Sequence, residues 1–382
     1  MKRINMKRCF ASTVWTRNQI HITRLVLTLM VGTLLAATNR AHAQGDVYTS
    51  TNSLFGNSVV MFNRAMNGTL TPIGSFFTGG MGTGSGLGNA GAVIISPNHK
   101  FLYAVDAGSN DIAAFAIRAH GLQWLSNTAS GGAKPISLTA HGELLYVLNA
   151  GADNITGFTI NSDGTLAALV SSTQPLSGTG TGAAQVEFSP NGELLVVTEK
   201  ATNKIDVFSV DSSGLASAPI VTSSFGATPF GFDFDPSGHL IVSEAFGGAP
   251  GASAVSSYFV SGYGSLPITG SAQDGQSAAC WIAVSKAGNF AWTTNTGSGN
   301  VSAYNIAPNG RLSLLAGTGI VANLGAGTKP TDMAMDTRKR YLYVLESGSG
   351  AIAAFGVEWD GSLTALGVAG DLGPGMTGLA AR

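Results

Sequence analysis

Residues 189–208 carry the sequence SPNGELLVVTEKATNKIDVF, in which two apolar runs are separated by short polar turns. Five related copies start elsewhere in the chain, at Ser96, Thr139, Asp235, Ser285 and Asp336. A shortened seventh copy, GDVYTSTNSLFGNSVVMFNR, covers residues 45–64. The six full copies start about 43 to 51 residues apart, which is the period of a four-stranded propeller blade.

Each copy predicts the same succession of four strands. In the opening copy, a run at 185–188 precedes the first turn, and the runs at 194–198 and 205–208 follow it. Turns such as NSDG at 161–164 then lead to a fourth run. Asp-Gly and Asn-Gly turns suit hairpins because these residues tolerate a positive φ. Because no long helical pattern interrupts these runs, the sequence indicates an all-β protein.

The two ends of the repeat region predict a closed ring. The first copy lacks its leading strand, and the last residues, GMTGLAAR at 375–382, form such a strand with nothing after it. An open solenoid or two sandwiches would leave that strand unexplained. We therefore expect one domain over residues 44–382, a seven-bladed β-propeller with four-stranded antiparallel blades, in which the C-terminal strand joins the N-terminal blade and protects its open edge.

The first 43 residues have the pattern of a signal peptide. Basic residues precede an uncharged run from Leu25 to Thr38, and Ala41 and Ala43 have the small-x-small spacing of a cleavage site. A membrane anchor is the alternative, but the run is shorter than the roughly 20 residues that span a bilayer. We expect residues 1–43 to be a signal peptide and the remainder to be a secreted or periplasmic monomer with no membrane span.

The charge balance after this leader excludes some partners. Seven of the 20 Lys and Arg residues lie in the first 43 positions and none of the 21 acidic residues does, so the remainder has a formal net charge of −8. Nucleic acid and anionic lipid require basic surfaces and are not expected partners. Cys280 is the only cysteine after the leader, so no internal disulfide is expected.

The repeats resemble the lactonase-type seven-bladed propellers, a family that includes 6-phosphogluconolactonase and carboxymuconate cyclase-like enzymes. The resemblance is carried by SPNGELLVVTEKATNKIDVF and by blade endings such as DGTLAAL and DGSLTAL. It implies a hydrolase with a Glu at the end of a second strand and an Arg-His pair at the start of a first strand. Glu199 occupies the position of that Glu, whereas Ala184 and Gln185 occupy the positions of the pair.

Polar residues recur where the second strand of each full copy ends. They are Asp106, Asn149, Glu199, Glu244, Asn295 and Glu346. Four carboxylates around one opening would raise the pKa of one another, so that a Glu, above all Glu199, acts as a general acid or base. The alternative is a structural role, in which these side chains cap the following turns. A ring of oxygen atoms is also able to hold Ca²⁺, but the sequence gives no further support for a metal, and no cofactor is predicted.

A second set of candidates lies at the start of the first strands and beside them, on the face where loops converge on the channel mouth. Trp281 offers an aromatic face on which a ligand ring is able to stack, and basic side chains there suit a carboxylate or phosphate. The candidates of this set are Gln185, Trp281, Asp332, Lys134, Lys200 and Lys329. The nearby segment GGMGTGSGLGNAG at 79–91 lacks the Lys-Ser/Thr ending of a phosphate loop, so we expect a flexible surface loop.

Two functions follow from these observations. The first is hydrolysis of a lactone or another small cyclic ester at the channel mouth, with Glu199 as acid, base or water-orienting group. The second is a non-catalytic propeller that binds a sugar, peptide or envelope partner on the same face. The absence of the Arg-His pair favours the second function, since a carboxylate alone offers an oxyanion no stabilisation. The resemblance favours the first.

Overall fold

A computed structural model describes residues 45–315, 317–373 and 375–382. Strands dominate these residues, and the one helical element among them is a 3₁₀ turn at Phe246–Gly248. No helix in this part of the chain has the length and apolarity that crossing a membrane requires. The expected signal peptide, residues 1–43, lies outside the described residues.

The strands form seven antiparallel sheets, which we number as blades 1 to 7. Blade 1 contains β1 (Gly45–Ser50), β2 (Ser58–Arg64), β3 (Leu70–Phe77) and the last strand, β30 (Thr377–Ala381). Blade 2 contains β4 (Val93–Ile95), β5 (Phe101–Asp106), β6 (Asp111–Arg118) and β7 (Gly121–Ala129). Blade 3 contains β8 (Pro135–His141), β9 (Leu144–Asn149), β10 (Asn154–Ile160), β11 (Leu166–Ala168) and β12 (Gln174–Pro175).

Blade 4 contains β13 (Ala183–Phe188), β14 (Leu194–Glu199), β15 (Lys204–Ser209) and β16 (Ile220–Ser223). Blade 5 contains β17 (Pro229–Phe234), β18 (His239–Glu244), β19 (Ala254–Ser261) and β20 (Gly264–Gln273). Blade 6 contains β21 (Ala279–Val284), β22 (Phe290–Asn295), β23 (Asn300–Ile306), β24 (Leu312–Leu314) and β25 (Ile320–Asn323). Blade 7 contains β26 (Pro330–Met335), β27 (Tyr341–Glu346), β28 (Ala351–Val357) and β29 (Leu363–Ala369). In blades 3 and 6 the fourth strand is split, and both pieces pair with the third strand.

The C-terminal strand closes the ring, as predicted. Strand β30 pairs with β1 in the innermost position of blade 1, with Tyr48 opposite Ala380. The residue after this strand, Arg382, forms an ion pair with Asp46, with 2.5 Å between Nη2 and Oδ2. The innermost strands of all seven blades then follow one another around a central channel, and each contacts the next. Closure removes the open sheet edges that a linear array would expose.

A recurring hydrogen bond joins neighbouring blades and explains the glycine of the third turn. The side chain of Tyr103 in β5 donates to the Gly164 carbonyl of the next blade at 3.0 Å, and that of Trp292 donates to Gly361 at 2.9 Å. Tyr146 and Tyr343 make the same contact with Gly214 and Gly68. Gly164 has φ of 91°, and a Cβ there would lie 2.2 Å from the Phe101 ring. The Asp-Gly turn therefore serves packing between blades as well as the hairpin.

Candidate functional site

The polar residues at the ends of the second strands lie between blades. All six are buried, and five of them bond to the segment that leaves the outer strand of the preceding blade. Asp106 accepts from Thr78 Oγ1 at 2.8 Å, Glu244 accepts from the Gly226 N–H at 2.8 Å, and Asn149 donates to the Ser130 carbonyl at 3.1 Å. The structure therefore does not gather the four carboxylates of this set around one opening.

Glu199 belongs to a buried pair of carboxyl groups. Its Oε1 accepts from the Ser177 N–H at 3.1 Å, and its Oε2 accepts from the hydroxyls of Ser177 and Thr202. Asp206 Oδ2 accepts from the same Ser177 N–H at 2.9 Å. Burial, with the neighbouring Glu199, raises the pKa of Asp206 to about 8. Asp206 therefore retains its proton at neutral pH.

The other members of the set are also engaged by hydrogen bonds. Glu244 accepts from Ser256 Oγ and Ser271 Oγ, each at 2.5 Å, and burial raises its pKa. Asn295 donates to Asp274, Asn300 and Ser302. Glu346 accepts from Ser349 Oγ at 2.6 Å, and burial raises its pKa as well. These contacts fit the structural alternative, in which the six side chains stabilise the following turns and the segments that leave the outer strands.

The three candidate lysines do not form a cluster in the channel. Lys134 and Lys329 precede the first strands of their blades with φ of 53° and 47°, and neither lines the channel. The ammonium group of Lys200 lies 4.7 Å above the Phe230 ring and donates to the carbonyl groups of Gly88 and Ala183. Burial lowers the pKa of Lys200 to about 8.

The glycine-rich segment 79–91, which we call the plug loop, differs from the predicted flexible surface loop. Its Asn89 is 2% exposed and bonds to three blades at once. Asn89 Nδ2 donates to the Ile136 carbonyl, its Oδ1 accepts from Thr377 at 2.9 Å, and its backbone carbonyl accepts from Trp281 Nε1 at 2.9 Å. The plug loop therefore crosses the channel axis at the end where the first strands begin. Its glycines allow close approach of backbones, a requirement that composition alone does not reveal.

The central channel contains a cavity of about 440 Å³. Three of the predicted residues, Gln185, Trp281 and Asp332, line this cavity together. Side chains near the plug loop are buried, whereas those toward the turns between first and second strands are more exposed, ending in the exposed His99 and Thr337. The cavity is thus closed by the plug loop and accessible from the turn side.

Two acidic residues and one lysine form the polar wall of the cavity. Gln185 Nε2 donates to Glu187 Oε2 at 2.7 Å, and Asp233 Oδ2 accepts from the Val284 N–H at 2.8 Å. Lys339 Nζ donates to the Val284 carbonyl at 2.7 Å. Burial raises the pKa of Glu187 and Asp233; Asp233 also raises that of Glu187, and Lys339 opposes both shifts.

The acidic residues of this wall were not predicted from the sequence, although their position in the repeat indicates them. Glu187 and Asp233 each stand two residues before the first turn of their copies, in QVEFS and GFDFD. An acid at the same repeat position in two adjacent first strands points to one side of the channel, since alternate residues of a strand share a face.

Asp332 is the most unusual side chain in the cavity. It is 3% exposed, and its Oδ1 accepts from the Met333 N–H at 2.8 Å. Its Oδ2 accepts no hydrogen bond within bonding distance. Burial holds the pKa of Asp332 well above its usual range, against the opposing backbone groups of Met333 and Leu379. A carboxyl group of this kind binds a proton more readily than an exposed one, and in its protonated form it is able to donate a hydrogen bond to a ligand.

No three His, Cys, Asp or Glu side chains within the described ranges are arranged to hold a metal ion.

The fold and the channel define a class of protein, the seven-bladed propellers with a ligand-sized axial cavity. The chain belongs to the lactonase, 7-bladed beta-propeller family, whose model matches residues 42–176 and 163–245. No curated protein matches the chain.

Solved structures share the same fold. A protein proposed to be a 6-phosphogluconolactonase from Bacteroides fragilis has a TM-score of 0.69 at 20% identity, and the match covers 90% of this chain and 99% of that one. The periplasmic gluconolactonase of Pseudomonas aeruginosa has a TM-score of 0.68 at 16% identity, with 88% and 98% covered. At these identities the likeness concerns the fold.

Proposed function

We propose that this chain hydrolyses a lactone or another small cyclic ester, and that the substrate binds in the central channel. The observation that carries the proposal is the axial cavity of about 440 Å³ in a member of the lactonase family, with carboxyl groups, an amide and an indole in its wall. A volume of this order fits a small molecule. The names of the B. fragilis and P. aeruginosa neighbours support a lactone as the substrate class.

The chemistry requires one acceptor and one donor of protons. Water attacks the ring carbonyl, the ester C–O bond breaks, and the ring oxygen takes a proton, so that lactone and water give one hydroxy acid. In our proposal the pair Glu187 and Asp233 accepts the proton of the attacking water and then returns it to the ring oxygen as the C–O bond breaks. The protonated Asp332 donates a hydrogen bond to the carbonyl oxygen as negative charge develops there, which substitutes for the cationic pair absent at 184 and 185.

The prediction that Glu199 acts as acid or base is retained as a competing assignment within this proposal. Its position matches the Glu implied by the family resemblance. Against it, Glu199 is completely buried, and its oxygen atoms are already occupied by Ser177 and Thr202. These contacts agree better with a structural role, in which Glu199 positions the loop after residue 176.

The test is a panel of lactones and aryl esters, assayed with protein lacking residues 1–43 and with two isosteric variants, Asp332→Asn and Glu199→Gln. We expect Asp332→Asn to lower kcat by about 10²-fold, as loss of an oxyanion donor does. We expect Glu199→Gln to lower the free energy of unfolding by about 1–3 kcal/mol, because buried hydroxyls lose their acceptor. The folded fraction should keep most of the activity.

The possible outcomes separate the assignments. A loss of kcat in folded Glu199→Gln with normal activity in Asp332→Asn would move the chemistry to Glu199. Absence of turnover on every substrate would overturn the enzyme function. Asp360→Asn is the matched control, since this exposed carboxylate bonds only within its own turn.

Export is part of the same proposal. The support is the uncharged run from Leu25 to Thr38 followed by Ala41 and Ala43. Fractionation of producing cells and N-terminal sequencing should find the protein outside the cytoplasm with Gln44 as its first residue. An intact leader on a cytoplasmic protein would contradict it.

A further inference from the structure

We infer that the channel selects uncharged, hydroxyl-rich lactones and discriminates against phosphorylated or carboxylated ones. The inference rests on the proposed function and adds the class of substrate. It follows from the charges and hydrogen-bonding groups of the cavity wall, which differ from those that bind an anion.

The wall offers carboxyl groups in excess of cations. Glu187, Asp233 and Asp332 line the cavity, and Asp336 lies at its turn-side end. Among the described residues of the wall, Lys339 is the only Lys or Arg. Its ammonium group donates to the Val284 carbonyl and favours the charged forms of Glu187 and Asp233, but it offsets at most one of their two negative charges. A phosphate requires Arg, Lys or a helix N-terminus for its charge, and no uncommitted cation of this wall meets that need.

Asp332 is an independent indication that the cavity takes a ligand. Asp332 lines the cavity and is 3% exposed, and its Oδ2 is a buried atom with no hydrogen-bond partner. Leaving such a polar atom unsatisfied costs about 1–3 kcal/mol. A carbonyl or hydroxyl oxygen of a ligand would satisfy it. Because Asp332 lines the same cavity as Glu187 and Asp233, a ligand in that cavity has all three residues in its wall.

Hydroxyl groups match this arrangement better than charged groups do. Carboxylates accept strong hydrogen bonds from hydroxyls, and Gln185 adds an amide next to Glu187. Trp281 lines the cavity and is held rigidly, by its Nε1 bond to Asn89 and by packing on Phe230 at 5.0 Å between ring centroids. An aromatic face beside carboxylates suits a polyhydroxylated ring. An anionic ligand would instead face uncompensated acidic groups in a region of low dielectric.

The test separates binding from hydrolysis. Calorimetric titration compares 1,5-anhydroglucitol, an uncharged ring without an ester, with its 6-phosphate, using wild type, the double variant Glu187→Gln/Asp233→Asn and the control Asp163→Asn. In parallel, kcat/KM is measured for glucono-1,5-lactone and its 6-phosphate. We expect the uncharged compound of each pair to be favoured about tenfold or more, and the double variant to reduce this binding preference. Asp163→Asn, an exposed turn residue, should leave the preference unchanged.

Each outcome bears on one of the two claims. Equal or tighter binding of the phosphate, or no binding of either ring, would overturn the inference. If the phosphorylated lactone is hydrolysed better, the inference fails while the proposed function stands. If the uncharged ring binds and no lactone is hydrolysed, the enzyme function fails while the ligand class stands. The double variant retains hydrogen-bond acceptors at both positions, and circular dichroism verifies its fold.

Discussion

Glu199 shows how far a single residue can be interpreted from sequence. Its place at the end of the second strand was correctly inferred from the copies, because strand ends follow from the repeat. Its burial and its pairing with Asp206 were not predictable, since they depend on the side-chain contacts of Ser177 in the preceding blade. The repeat fixes the backbone position, and the neighbouring blade determines whether the carboxylate meets solvent.

The buried pair predicts a specific dependence of stability on pH. The pKa of Asp206 is about 8 in the folded protein and about 3.9 when unfolded, so the folded state binds the proton more tightly. Its stabilising contribution is therefore complete below about pH 4 and is lost as pH rises toward 8. We expect Asp206→Asn, which keeps the shape and supplies a permanent donor to Glu199, to be more stable than wild type by about 1–3 kcal/mol at pH 9. The advantage should shrink on acidification.

Urea denaturation at pH 5, 7 and 9 measures this effect. Asp163→Asn is the control, because hydrogen bonds from Thr165 lower the pKa of this exposed carboxylate, and its effect on stability should not change between pH 5 and 9. An Asp206→Asn variant that loses stability equally at all three values would contradict the raised pKa of Asp206.

At the scale of the element, the plug loop is the largest departure from the sequence analysis. A run of glycines without a phosphate-loop ending indicated a mobile surface segment. In the structure, one buried Asn89 fixes the loop to blades 1, 3 and 6. The strands were predictable from local periodicity, whereas this loop is held by contacts distant in sequence. As a result, the loop-side mouth is closed and the accessible end of the cavity lies on the opposite face.

Loss of the Asn89 side chain should release the plug loop. Asn89→Ala removes the bonds to Ile136 and Thr377, and we expect amide exchange at Ala90 to accelerate about tenfold, which corresponds to about 1.4 kcal/mol of local opening. Hydrogen exchange followed by mass spectrometry over residues 79–91 measures this. Ser85→Ala is the control within the same loop, because the Ser85 hydroxyl makes no hydrogen bond in the described structure. Unchanged protection in Asn89→Ala would show that backbone contacts alone hold the loop.

At the scale of the whole molecule, closure was the most secure deduction. The missing first strand of blade 1 and the unattached strand at the C-terminus are complementary, and the observed pairing of β30 with β1 confirms the ring. The acidic wall of the channel was not predicted, although Glu187 and Asp233 share a repeat position. It forms where Glu187, Asp233 and Lys339 from three different blades come together. The sequence of a single copy does not indicate that these side chains are neighbours.

The ring should not tolerate loss of its last strand. Removal of residues 376–382 exposes the edge of β1 and removes the buried Met376 and Leu379. Because each buried large side chain contributes about 2–5 kcal/mol, we expect the truncated chain to lose cooperative thermal unfolding. The matched variant Arg382→Ala keeps the strand, loses the ion pair with Asp46, and should cost about 1 kcal/mol or less. Similar melting curves for the truncated and full-length proteins would contradict closure by β30.

The most direct measurement of the central claim is lactone hydrolysis after the channel has been filled. Ala334 and Ala140 line the cavity, so Ala334→Phe and Ala140→Phe would each occupy substrate space, whereas Ala365→Phe adds the same group on the exposed outer strand of blade 7. With native circular dichroism in all three, we expect both channel variants to lower kcat/KM for glucono-1,5-lactone about tenfold or more and Ala365→Phe to match wild type. Full activity in the filled variants, or no activity in wild type, would contradict a catalytic channel.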